Sequence, residues 1–360
     1  MLGYCTNVHS GVSFSSVIEN LNTYTTLVQK KMQKPIGVGL WFSDIASREV
    51  DISLLIDTLQ SLNVQAFTLN GFPFSDFHQE IVRHSVYEPD WSVQTRLEYT
   101  IRLAHILSKI TTQKEASIST LPLGWNSSSF SNKDASLMLR NCVDALEEIE
   151  QKTGKCIHLA IETEPGCRLQ RSQELCEFIE HYFGSDERTR RYIRVCHDTC
   201  HAAVMRESAE SCIQNYKNAG LQIGKVQLSS AVEIDFDKPT ANNVMRDLSS
   251  ISEPRYLHQT TICNKNDISF YENVLDAPTD SPGGHWRIHF HVPIHLRQFG
   301  SLHTTQNDLI DSIPRLREAG VTDWEVETYT WSVTPDDLQE DELVASITKE
   351  LQWASNQLNA

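Results

Sequence analysis

The sequence predicts an α/β chain of the (β/α)8 barrel kind, on three observations. Eight short apolar runs alternate with amphipathic stretches of helical spacing, which is the order of repeated βα units. An open doubly wound sheet, the alternative, offers no natural use for eight regular units. No Gly-rich fingerprint of the GxGxxG kind follows the first run, which disfavours a dinucleotide-binding open sheet.

Taken in order, Leu2 to His9 reads as a short strand ending in Asn7 and His9. Ser13 to Met32 carries Val17, Leu21, Tyr24 and Val28 at helical spacing, and Pro35 stops it. Ile36 to Phe42 is the second strand, and Val50 to Leu62 the second helix. Val64 to Asn70 is the third strand, followed by a loop and a helix from Gln94 to Ile110. Ala116 to Leu121 is the fourth strand, closed by Pro122, and Asp134 to Lys152 is a helix that Gly154 terminates. Cys156 to Glu162 is the fifth strand and Ser172 to Phe183 its helix. Tyr192 to Asp198 is the sixth, with a helix from Ser208 to Ala219, and Gln222 to Leu228 is the seventh. Asp308 to Ala319 is a helix, Asp323 to Glu327 the eighth strand, and Leu338 to Leu358 the closing helix.

One region breaks the rhythm. Residues 229–305 hold no simple helix but two strand-like runs, Arg255 to Ile262 and Trp286 to Val292, with a Pro/Gly turn at Asp280 to Gly284. They read as an extended seventh βα loop carrying a β-hairpin. Loops of this length are usually functional, and a cover over the strand C-termini is the expectation, within a single domain spanning 1–360.

The chain has 360 residues, 40% hydrophobic and 22% charged, with a formal charge of −16. That charge disfavours a nucleic-acid partner, because neutralising phosphates requires a basic surface. No apolar run is long enough for a membrane span, and the N-terminus lacks the layout of a secretory signal. Nine cysteines at scattered spacing, without a CxxC pair, read as reduced thiols of a cytoplasmic protein.

In a barrel, side chains at the C-terminal ends of the strands face the site. Strand five ends in Glu162, with Glu164 beyond it; strand six ends in Asp198, with His201 one turn on. Strand seven carries Gln227, and strand eight Glu325 and Glu327, of which one is expected in the site and the other in solvent. His289 and His291 alternate onto one face of the hairpin, while strand one offers Asn7 and His9 and strand three Asn70. Glu162, Asp198, Gln227 and Glu327 are hard oxygen donors at equivalent strand ends, which suits Mn2+, Mg2+ or Zn2+. Mid-strand His158 reads as a core histidine. A cysteine nucleophile is disfavoured, because neighbours such as Cys200 and His201 point different ways.

These residues resemble a known family. Glu162 to Gly166 and Cys196 to Ala202 are similar to the xylose-isomerase-like barrel superfamily, which includes ketose 3-epimerases and endonuclease-IV-type phosphodiesterases. More narrowly, GYCTNVH, FTLNGFPF, STLPLGW, EPGC, VCHDTCH, KVQLSSA, HFHVPIH and EVETYTW together resemble the EboE family, associated with metabolite traffic. The resemblance implies that Glu162, Asp198, Gln227 and Glu327 form a shared metal site and that His201 is its partner histidine. His289 and His291 match a loop pair that binds a further zinc in the endonuclease type. Asn70, Thr120 and Gln227 depart from that type's metal histidines, which argues against DNA repair. The expected activity is a metal-dependent isomerase or epimerase of a small sugar- or cyclitol-type metabolite, with Glu162 and Glu327 as the acid/base pair. His201, His289, His291, Asn70 and His9 are expected to bind substrate, and pathway proteins are possible partners. The rivals are metal-dependent phosphoester hydrolysis and non-catalytic metabolite binding.

Overall fold

The computed structural model describes residues 1–265, 267–334 and 342–360. The strands, in chain order, are β1 (Leu2–Cys5), β2 (Ile36–Trp41), β3 (Val64–Asn70), β4 (Glu115–Thr120), β5 (Cys156–Glu162), β6 (Ile193–Asp198) and β7 (Ile223–Leu228). After them come β8 (Val232–Asp235), β9 (Thr260–Asn264), β10 (Asp267–Tyr271), β11 (His285–Ile288), β12 (Gln298–Phe299), β13 (Leu302–Thr304) and β14 (Trp324–Val326). The first seven and β14 close into a parallel barrel in the order β1-β14-β7-β6-β5-β4-β3-β2.

Local chemistry sets the helix ends. Ser131 accepts the Lys133 and Asp134 amides at the start of helix Asn132–Thr153, and Gly154 ends it at φ 71, a conformation without penalty for glycine. Helix Gln94–Ile110 buries Leu97, Leu103, Leu107 and Ile110 against the barrel. The single helix read over 13–32 is helical from Phe14 to Met32 but contains a π turn at Leu21–Thr25. The turn accompanies a hydrogen bond between the hydroxyls of Thr25 and Tyr4, 2.5 Å apart. The closing helix runs from Leu343 to Asn359; residues 338–341 of the expected helix lie outside the described residues.

The segment between β7 and helix Gln306–Glu318 differs from the single hairpin read in the sequence. It forms a six-stranded sheet, ordered β10-β9-β11-β8-β13-β12. The two runs read as strands do pair, as β9 with β11, but each is shorter than expected. The remaining strands of two to five residues are too short to leave a periodic signature. This sheet has its own apolar core, with Trp286, Ile288, Phe299 and Leu302 fully enclosed.

The middle of the barrel lumen is polar. Lys225 of β7 is wholly buried and donates to the Glu325 carboxylate at 2.5 Å and to Asn70 Oδ1 at 2.8 Å. Asn70 in turn donates to Glu325 at 2.8 Å and accepts from Ser119 at 2.9 Å. Gly39 makes room for this cluster: a Cβ there would stand 1.4 Å from Glu325 Oε1. Glu325 is therefore not solvated, as the sequence suggested for one of the two strand-eight glutamates. Both are enclosed, one layer apart along the same inward face.

Candidate functional site

Three carboxylates meet at the C-terminal mouth of the barrel. Glu162 ends β5, Asp198 ends β6 and Glu327 follows β14, so strand geometry alone turns them inward. One oxygen from each lies within 4.8 Å of the other two, and all three residues are buried. Burial first, and then the Glu327 and Asp198 charges, push the Glu162 carboxyl well above its ordinary range. Burial and the Asp198 and Glu325 charges raise Glu327 to about 8, although Asn7 donates to its Oε1 at 2.8 Å. Burial acts upward on Asp198 too. It is outweighed by His201 and His291, the His201 amide and the Ser229 hydroxyl, so this carboxyl sits below its usual value.

An imidazole cluster adjoins the carboxylates. His201 places Nδ1 3.0 Å from the Thr163 carbonyl and Nε2 3.1 Å from His289 Nε2. His289 is oriented by Gln259 at 2.8 Å, and His291 by the Glu327 carbonyl at 2.8 Å. Donor atoms of Asp198, His201 and His291 also lie within 4.8 Å of one another, as do those of Glu164, His201 and His289. Burial lowers the His291 pKa to about 4, so its ring is neutral and able to ligate. Glu164 accepts from the Tyr87 hydroxyl at 2.8 Å and is raised to about 7, chiefly by burial. Asp198 Oδ2, His291 Nε2 and Glu164 Oε2 are buried and have no protein hydrogen-bond partner. Hard oxygens and neutral imidazoles with lone pairs left over suit a divalent cation, which would relieve the repulsion among the carboxylates.

A narrow cleft with about 50 Å³ of free space opens above them. Its outer wall is aromatic, from Phe72, Phe77, Tyr256 and Tyr329, with Asn7 beside Glu327 on its floor. Glu162, Glu327, His201, His289 and His291 all line it.

Three expected residues sit elsewhere. Asn70 lies below the cleft, where its amide donates to Glu325 and accepts from Lys225 and Ser119. His9 turns outward after β1; it stacks on Tyr24 at 4.5 Å and contacts the Tyr4 hydroxyl at 3.1 Å. The cause is the turn of 3-10 helix over Thr6–Val8, which breaks the strand alternation that would have carried His9 inward. Gln227 is buried in the lumen, but its Oε1 accepts from the Cys196 thiol at 2.9 Å. Sequence reasoning missed Tyr87, Gln259 and the aromatic wall, which come from loops without a strand-end signal. Of the pair that ends strand one, Asn7 is the residue that reaches the cleft.

The carboxylates imply a pH dependence for the metal-free protein. Glu162, Glu164 and Glu327 hold protons in the folded state at pH values where the unfolded chain has released them. Through these three groups the folded state binds more protons, so they contribute stability that is lost as pH rises from about 4.5 toward 8. Asp198, shifted the other way, acts only at lower pH. The buried His9, His197, His289 and His291 are held below their ordinary value and act in the opposite sense until pH passes about 6.5, so the melting temperature of chelator-treated protein should drop between about pH 7 and 8.5, and added Mn2+ should remove the drop. A flat or rising profile without metal would contradict the electrostatics.

The parallel eight-stranded barrel has the fold of xylose-isomerase-like TIM barrels. Solved structures agree. An L-ribulose 3-epimerase superposes with a TM-score of 0.54 at 12% identity, over 99% of this chain and 94% of that one. The IOLI protein with a bound zinc atom gives 0.52 at 11%, over 99% and 98%. A xylose isomerase-like TIM barrel protein from Mycobacterium smegmatis, in complex with magnesium, gives 0.53 at 7%, over 99% and 96%. At such identities the likeness is one of fold. No protein-family profile and no curated protein sequence matches the chain.

Proposed function

We propose that the protein is a divalent-metal-dependent isomerase or epimerase of a small sugar- or cyclitol-type metabolite, working in a biosynthesis or traffic pathway of the EboE kind. The observation that carries this reading is the buried triad Glu162, Asp198 and Glu327 at the barrel mouth. A cation held there (Mn2+, Zn2+ or Mg2+) would polarise a substrate carbonyl and its neighbouring hydroxyl. Glu162 and Glu327 stand three strands apart around the ring, so they reach a bound polyol from different sides. One removes a proton next to the carbonyl and the other returns it. Asn7 fixes the Glu327 carboxylate, and His201, His289 and His291 present nitrogens to substrate oxygens. The aromatic wall excludes water. The likeness to an L-ribulose 3-epimerase supports the reading.

Among the described residues no helix is long and apolar enough to cross a membrane. All nine cysteines are unpaired, which suits the proposed cytoplasmic location.

The reading is tested by incubating the Mn2+-loaded protein with D-fructose or L-ribulose in D2O. Deuterium should appear at the carbon next to the carbonyl. A second reading, metal-dependent phosphoester hydrolysis, is favoured by one observation: Asp198 belongs both to the carboxylate triad and to the cluster with His201 and His291. Two or more metals per chain with phosphoester cleavage would select it, and metal binding without exchange or cleavage would select a carrier.

Asp198→Ala should remove the bound metal from purified protein, read by elemental analysis. Asp198 also caps helix Thr199–Val204 by accepting the His201 amide at 2.8 Å. The variant should therefore lose about 1 kcal/mol of metal-free stability and remain folded. Full metal content in a folded Asp198→Ala protein would remove this residue from the site.

A further inference from the structure

The cleft described above is lined mainly by carboxylates, imidazoles and aromatic rings, yet one guanidinium stands on its rim. Arg83 is exposed and lines the cleft. Its one recorded side-chain hydrogen bond runs from Nε to the Pro254 carbonyl at 3.1 Å. Among the described residues no carboxylate pairs with it, in a chain whose net charge is −16. Its terminal nitrogens are therefore left without an anionic partner.

The backbone holds this residue in an unusual state. Arg83 has φ 41, in the left-handed region that non-glycine residues rarely occupy. The Val82 and Arg83 amides both donate to the Arg255 carbonyl, at 2.8 and 2.9 Å. With the Nε bond to Pro254, three hydrogen bonds tie the rim loop after β3 to the segment that precedes β9. Strain of this kind persists only where the surroundings fix it. The result is a guanidinium whose backbone and Nε are pinned while its outer fork is left over. A guanidinium fork is the side chain best matched to phosphate or carboxylate oxygens.

We propose that Arg83 anchors an anionic group on the substrate, so that the cleft takes a polyol bearing a phosphate or a carboxylate in preference to a neutral sugar. The inference rests on the cleft being the substrate site of the proposed function. It adds which end of the substrate lies outward: the reacting carbons reach the carboxylate triad, and the charged terminus stays at the rim. An anion entering an acid-lined cleft is repelled unless a cation meets it, and Arg83 is the cationic side chain on this wall.

The test uses the full chain loaded with Mn2+ and titrated calorimetrically with D-fructose, D-fructose 6-phosphate and D-gluconate. The same titrations are run on Arg83→Gln and Arg83→Lys, and on wild type stripped of metal. At least one anionic probe should bind the wild type roughly ten-fold or more tighter than fructose. Arg83→Gln should abolish that advantage without changing fructose affinity, and Arg83→Lys should keep part of it. Phosphate alone or gluconate alone showing the advantage supports the anchor and names its anion. Retention of part of the advantage by metal-stripped wild type separates the anchor from direct binding to the metal. An equal affinity for all three probes, or an advantage that survives in Arg83→Gln, overturns the proposal, as does binding of no probe at all. If the phosphate ester binds through Arg83 and is hydrolysed, the anchor stands and the isomerase reading falls.

Discussion

Glu162→Gln and Glu327→Gln should each reduce deuterium exchange into a ketose by roughly 10²- to 10⁴-fold, the usual worth of a positioned acid or base. Glutamine keeps the shape and one potential ligand oxygen but takes up no proton at neutral pH. Both glutamates are buried beside Asp198, and burial first, then the neighbouring carboxylate charges, raises them. A bound cation would reverse that shift and leave each carboxylate ionised at neutral pH. Removing one charge also relieves the repulsion, so each variant should be more stable than wild type without metal at pH 8. Loss of exchange together with retained metal and a raised melting temperature is the expected pattern. Exchange at the wild-type rate in either variant would remove that residue from the chemistry.

Lys225→Met should destabilise the protein by about 3–5 kcal/mol, because it leaves Glu325 charged and enclosed without its cation. Asn70 would be the remaining donor to that carboxylate. The double variant Lys225→Met/Glu325→Leu removes both charges and should recover much of the loss. Chemical denaturation of Lys225→Met, Glu325→Leu and the double variant measures the coupling. Lys225 also pulls the Glu162 and Glu327 carboxyls downward, so Lys225→Met should alter metal affinity as well. Additive losses in the double variant would show that the pair is not a unit.

The barrel was legible because its strands are long enough to show their character. Val64–Asn70, Cys156–Glu162, and helices Gln94–Ile110 and Ser172–Phe183 have the boundaries read from the sequence. The triad was legible for a related reason: strand ends in a barrel share one rim, so ligand-type residues at those ends converge. What escaped the sequence depends on contacts distant along the chain. That Asn70 is spent on Glu325 follows from a pairing across 255 positions, and its bond to Lys225 spans 155. Glu325 read as a solvated neighbour of Glu327 because alternation says which way a side chain points but not how deep it lies. His9 was misplaced by a single turn of 3-10 helix. The six-stranded sheet was compressed into a hairpin because its shorter strands have no measurable period.

The mouth of the barrel is built from two sources: the carboxylates stand on barrel strands, while His289 and His291 follow β11 of the inserted sheet. The apolar interiors behind these two sources are distinct clusters. A change in how Trp286 or Phe299 packs would therefore move the imidazoles without repacking the residues behind Glu162 and Asp198. Directed evolution aimed at a new sugar has its natural target in the apolar core of the inserted sheet, behind the imidazoles rather than behind the carboxylates.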